Sequence, residues 1–112
     1  MHRFKELEVW KSSRIFCKSI YEVTADFPDY EKFGLISQLR PASTSIASNI
    51  AEGASRRSNK DFYRFLEIAI GSVYQIETQL LIATDLSFIK LKDSESLLSQ
   101  LESIIKMLSL RR

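Results

Sequence analysis

Apolar residues recur along this chain at steps of three and four almost from end to end, the spacing of one face of a helix. The clearest run is Phe62, Leu66, Ala69, Val73, Ile76, Leu80 and Ala83. Ser58, followed three residues later by Asp61, resembles a capping box with Asp in place of Glu, so a helix is expected over about residues 58–86. A second seam, Ile36, Leu39, Ser43, Ile46, Ile50 and Gly53, runs beside small residues that let a neighbour approach closely. It predicts a helix over about 30–52 that Gly53 closes by taking the left-handed conformation. Pro41 removes one hydrogen bond from that helix, but the seam keeps its phase, so a kink is expected there rather than a break.

Two further helices complete the pattern. Val9, Ser13, Phe16, Ile20, Val23 and Phe27 predict one over about 5–25, ended by Pro28. Leu97, Leu101, Ile104 and Leu108 predict another over about 93–110, capped by Asp93. Its serines, Ser94, Ser96, Ser99 and Ser103, fall to the surface, and Arg111 and Arg112 place cations near its negative end. Short connections imply that successive helices run antiparallel. The expected fold is all-α: an antiparallel up-down-up-down four-helix bundle, one domain over residues 1–112.

Three Gly and two Pro are too few for a turn-rich sandwich or barrel, which agrees with long helices. No stretch approaches the ~18 apolar residues of a membrane span. The N-terminal MHRFKELEVWK is too charged for a signal-peptide core. One cysteine permits no internal disulfide and fits a reducing compartment, so a cytoplasmic protein without membrane contact is expected.

The third helix carries apolar residues off its seam. Ile68, Gly71, Tyr74, Leu81 and Ile82 fall on the far side. A helix apolar nearly all round must be covered all round, so this face points to self-association, or else to a wide core under a tilted neighbour.

Catalytic chemistry is hard to find. His2 is the sole histidine and lies at a terminus, Cys17 lies on an apolar face, and no Glu-x-x-His pair or phosphate-binding glycine loop exists. No enzyme, metal or cofactor is expected. Glu77 adjoins the third seam, where Gln38 and Gln79 are placed to hydrogen-bond it or each other.

Charge is unevenly spread. Residues 65–89 contain three acids and no Lys or Arg, although the net charge is only +2. Lys11, Arg14 and Lys18 make one basic stripe, and Arg57, Lys60 and Arg64, with Arg56 beside them, make another. Such a stripe is either a solvated face or a phosphate-binding surface.

The runs FKELEVWKSS and FGLISQLRPASTSIASNIAEGASRRSNKDFYRFLEIAIGSVYQIETQLLIA closely resemble the four-helix-bundle family encoded within intervening sequences of bacterial 23S ribosomal RNA genes. The resemblance covers about residues 4–90, and SNIAEG and GS-x-x-x-x-ETQL are its most specific motifs. It implies a homopentamer with no catalytic residues. The family's ribosomal label comes from gene location, which is an association and not a physical argument for binding rRNA. The chain is also similar to the accessory protein of diversity-generating retroelements, a more basic pentameric bundle that binds nucleic acid and a reverse transcriptase. Gln38, Leu39, Arg40, Ser48, Asn49, Ile50, Ala51, Glu52 and Gly53 match the family's motif, whereas Pro41 stands where it usually has a second arginine. Asn49, Glu52 and Gly53 are expected in structural or subunit-interface roles.

Two functions follow. One is a homo-oligomer, pentameric by resemblance, that binds RNA or single-stranded DNA through Arg40, Arg56, Arg57, Lys60 and Arg64, with Lys11, Arg14 and Lys18 in support. The other is a scaffold that binds another protein and contacts no nucleic acid directly.

Overall fold

The computed structural model describes residues 2–111, with side chains through residue 110. It contains four helices: α1 (Glu8–Thr24), α2 (Leu35–Ala54), α3 (Asn59–Asp85) and α4 (Leu91–Arg111), and no strand among the described residues. At ~1.5 Å per residue the 27 residues of α3 reach ~40 Å, most of the 43 Å long axis. α1 packs on α2 and α4, and α3 packs on the same two helices. Among the described residues no Cα of α1 comes within 8 Å of one in α3, nor one of α2 within 8 Å of α4.

Hydrogen bonds between neighbours show their relative direction. Thr24 of α1 meets Arg40, while Cys17, earlier in α1, meets Ser43, later in α2. Gln38 meets Gln79 and Ser45 meets Ser72, again in opposite order. Such reversed pairing is what antiparallel neighbours give.

The core follows the seams. Every residue of the α3 run from Phe62 to Ala83 is buried, as are Leu39, Ser43, Ile46, Ile50 and Gly53 of α2. Leu97, Leu101, Ile104 and Leu108 close the core from α4. The buried hydroxyls Ser13 and Thr24 donate back to the carbonyls of Val9 and Ile20, so neither is stranded in the apolar interior.

Several helix boundaries differ from the sequence pattern, each for a local reason. α1 starts at Glu8 because Phe4–Glu6 form a separate 3-10 turn that ends in extended backbone at Leu7. α2 starts at Leu35 rather than Tyr30. Pro28 leads into a 3-10 turn, Asp29–Glu31, and Gly34 leaves helical geometry. The Glu31 carboxylate then accepts the Leu35 amide at 2.9 Å, serving one of the unpaired N–H groups at the start of α2. The helix runs unbroken across Pro41, which sits on an exposed side.

The start of α3 is as expected, with Ser58 Oγ accepting the Asp61 amide at 3.2 Å. Its end is a Schellman motif: the Phe88 amide reaches the Ala83 carbonyl and the Ser87 amide the Thr84 carbonyl. Ser87 takes the left-handed position at φ 63°, a place that glycine usually holds. Asp93 lies in the first turn of α4 instead of capping it, because the helix already begins at Leu91. Ser94, expected at the surface, is buried, and its hydroxyl pairs with that of Thr84 across α3 and α4 at 2.9 Å. Of the cationic tail, Arg112 and the Arg111 side chain lie outside the described residues.

Gly53 requires a correction. It does not close α2 in a left-handed conformation, for no glycine has positive φ and α2 continues to Ala54. Its missing side chain serves packing instead. A Cβ there would stand 2.8 Å from Cβ of Phe65 and 2.9 Å from the Phe62 ring. Glycine thus lets the end of α2 lie directly against the start of α3.

Candidate nucleic-acid and self-association surfaces

The turn between α2 and α3 forms one end of the bundle and carries the second basic stripe. Arg56, Arg57, Lys60 and Arg64 are all exposed there. Arg56 is partly engaged: it donates to Glu52 at 3.0 Å and its guanidinium lies 4.7 Å from the centre of the Phe65 ring. Arg57, Lys60 and Arg64 make no ion pair among the described residues. Arg56, Asp61, Arg64, Phe65 and Ile68 line a shallow depression of about 310 Å³. Asp61 brings one negative charge into it.

The N-terminal segment folds onto this end, a feature the helical pattern did not reveal. The His2 amide donates to the Ala54 carbonyl at 2.8 Å, and the His2 ring lies 4.6 Å from that of Phe62. Arg3 and Lys5 therefore join the basic end, with Arg3 held near Glu6 at 3.6 Å. The nearest sequence signal is the charge balance of residues 1–20, which hold five basic and two acidic groups.

Arg40 is placed quite differently. Its Nε donates to Thr24 Oγ1 at 2.9 Å, an Nη reaches the Tyr21 carbonyl, and the guanidinium covers the Tyr21 ring at 4.8 Å. It fastens α2 to the carbonyl end of α1, where the helix dipole favours a cation. The structure separates it from the basic end.

Lys11, Arg14 and Lys18 lie exposed on the outer side of α1, a helix whose backbone does not touch that of α3. Lys11 pairs with Glu8 at 3.4 Å, and Arg14 lies 5.2 Å from the centre of the Trp10 ring. The first stripe thus runs along α1, while the second lies at the α2–α3 turn and the start of α3.

The motif residues hold helices together. Asn49 donates to both the carbonyl and the hydroxyl of Ser45, and that hydroxyl in turn pairs with Ser72 of α3 at 3.0 Å. Gln79 donates to Gln38 at 3.0 Å, the mutual pairing anticipated from their positions. The Gln79 carbonyl oxygen is buried without a hydrogen-bond partner among the described residues.

The outward face of α3 is as apolar as its sequence implied. Ile68 is 48%, Tyr74 56%, Leu81 48% and Ile82 44% exposed, and the space around Gly71 is open. Ile68 borders the depression beside Arg56, whereas Tyr74 and Leu81 line a groove between α3 and α4. That groove has a volume of about 410 Å³, with Leu98 and Ile105 on its α4 side and Glu77, Glu95 and Glu102 also lining it.

Among the described residues no group of three His, Cys, Asp or Glu side chains is placed to hold a metal ion. No helix there is long and apolar enough to cross a membrane. Cys17 is a half-buried free thiol whose sulfur lies 3.4 Å from Ser43 Oγ.

The family model for the 23S rRNA-intervening sequence protein matches residues 5–110. The chain belongs to that family. A member of the S23 ribosomal protein family from Bacteroides thetaiotaomicron, described as a protein of unknown function, has a similar crystal structure. The two are 26% identical with a TM-score of 0.83, over 93% of this chain and 98% of that one. Comparison with curated proteins gives no match. The intervening-sequence family match includes all four helices almost to the end of α4, so α4 is part of the family's fold.

Proposed function

We propose that this intervening-sequence family member is a non-enzymatic cytoplasmic homo-oligomer whose basic end binds RNA or single-stranded DNA through phosphate contacts. The observation that carries it is the cluster of Arg57, Lys60 and Arg64, exposed and without ion pairs among the described residues, with Arg56, Arg3 and Lys5 around it. A monomer with only a handful of such cations would bind weakly at physiological salt. A pentamer, the number the resemblance implies, repeats the cluster around a ring and turns weak contacts into useful avidity. Arg40 is left out of this surface because its donors already serve α1. Phosphate contacts of this kind carry little sequence preference.

The test is titration of RNA and single-stranded DNA at several salt concentrations with the Arg57→Gln and Arg64→Gln variants. Affinity should fall about equally for unrelated sequences, and the slope of log K against log salt should drop by about 0.7 for each phosphate left without its arginine. Unchanged affinity in the double variant would remove these residues from the interface.

A second reading is supported by the α3–α4 groove, which is apolar and rimmed with acids. In it the oligomer is a scaffold for another protein and binds no nucleic acid. A wild-type oligomer that fails to bind either nucleic acid even at low salt would favour it.

A further inference from the structure

The outer face of α1 and the α3–α4 groove are complementary in charge, apolar content and spacing. Ile15 stands in the middle of the α1 stripe, 65% exposed, with Lys11 four residues before it and Lys18 three after. An isoleucine projecting so far into water between two lysines gains by being covered. The groove presents the converse: Tyr74, Leu81, Leu98 and Ile105 form apolar walls, and its acidic residues are all glutamates.

The charges match in register as well as in sign. Glu95 and Glu102 are seven residues apart on α4, and Lys11 and Lys18 are seven apart on α1. Seven residues are two helical turns, ~10 Å along the axis. A helix laid along the groove can therefore meet both glutamates with both lysines while its intervening apolar residue enters between the walls. The charges now present are lightly held. Lys11–Glu8 and Glu102–Lys106 are exposed pairs at 3.4 Å, and Glu77, Glu95 and Lys18 have no ion pair among the described residues. Exposed pairs of that kind are worth little, so exchanging them for pairs across an interface costs little.

The geometry points to a head-to-tail contact in which α1 of one subunit docks, with Ile15 at its centre, in the α3–α4 groove of a second copy of this chain. Because the two faces are different parts of the molecule, each subunit uses its stripe on one neighbour and its groove on the other. Such a heterologous contact generates a closed ring or an open filament, and never a lone two-fold dimer. Within one subunit Lys11, Ile15 and Lys18 on the stripe and Tyr74, Leu81, Glu95 and Glu102 in the groove are all exposed, so neither face is blocked by the other. The inference rests on the oligomer proposed above and names the surfaces that build it. It also removes Lys11 and Lys18 from any nucleic-acid role.

The experiment uses the full chain, with mass measured by light scattering across a concentration series. Two variants carry charge reversals, Lys11→Glu with Lys18→Glu on the stripe and Glu95→Lys with Glu102→Lys in the groove, and a third carries all four. Each two-site variant should fall to the 12.9 kDa monomer with its helical circular dichroism intact. The four-site variant should recover the wild-type mass. Mixing the two two-site variants in equal amounts sets an acidic stripe against a basic groove at one contact and a basic stripe against an acidic groove at the next. The mixture should therefore assemble with the two variants alternating, into open chains or even-numbered rings, since a ring of five cannot alternate throughout. An Ile15→Asp variant mixed with a Leu98→Asp variant is the sharper case, since one intact stripe and one intact groove remain. That mixture should stop at a dimer of twice the subunit mass. Two-site variants that keep the wild-type mass would overturn this assignment while leaving the oligomer standing. A wild-type chain that is monomeric throughout would overturn the oligomer itself.

Discussion

The two long contacts that α3 makes differ in kind. Against α2 it is closed by small residues and polar pairs: Gly53 admits the Phe62 and Phe65 side chains, Ser45 meets Ser72, and Gln38 meets Gln79. Against α4 it opens into a groove of about 410 Å³ walled by Tyr74, Leu81, Leu98 and Ile105. The seam with α2 is finished within the subunit. The groove leaves apolar surface in contact with water, which is the usual mark of a surface that something else covers.

The sharpest way to break this contrast is to make one substitution at two glycines. Gly53→Ala puts a methyl group within 3 Å of two phenylalanines, one of them at its Cβ where it cannot swing aside. Overpacking of that sort should cost about 1–3 kcal/mol, partly offset by alanine's better helix propensity, and lower the unfolding midpoint in urea. Gly71→Ala, on the open side of α3, meets nothing within 4 Å. It should stabilise by up to about 1 kcal/mol. Equal effects at the two sites would mean that the seam is not tight.

Ser45→Ala comes next. It removes the hydroxyl that Asn49 and Ser72 share, and a loss of about 1 kcal/mol is expected from urea unfolding. Leu81→Ser in the groove should have the smallest effect on the monomer, within about 0.5 kcal/mol, since the residue is already half exposed. A large loss there would show the groove to be structural packing rather than free surface.

The sequence pattern carried the helices and the core well because burial follows period, and period survives in a bare string of letters. Phe62 to Ala83 needed only counting, and the Ser58 cap needed only its spacing to Asp61. What a string does not contain is which helix lies across from which residue. Gly53 looked like a terminator because glycine often ends helices; its real reason, the approach of Phe65, lies twelve residues further on and in another helix. Arg40 looked like part of a basic surface, and only the fold shows Thr24 and the Tyr21 carbonyl within its reach. Tyr74 and Leu81 were recognised as surplus to the core, but the groove that unites them with Leu98 and Ile105 is made by two helices together. The N-terminal fold-back onto Ala54 has no periodic signature at all.

The arrangement of the four helices also governs how a disturbance travels. α1 and α3 share no backbone contact, and neither do α2 and α4. A pull on the outer side of α1 reaches α3 by way of α2, of α4, or of the side chains packed between them. The route through α2 is stiff, braced by Arg40 at one contact and by Ser45 and Gln38 at the next. The route through α4 passes beside the open groove and relies on the Thr84–Ser94 pair and the buried Leu97, Leu101, Ile104 and Leu108. Polar bracing in this bundle is therefore lopsided, concentrated on α2.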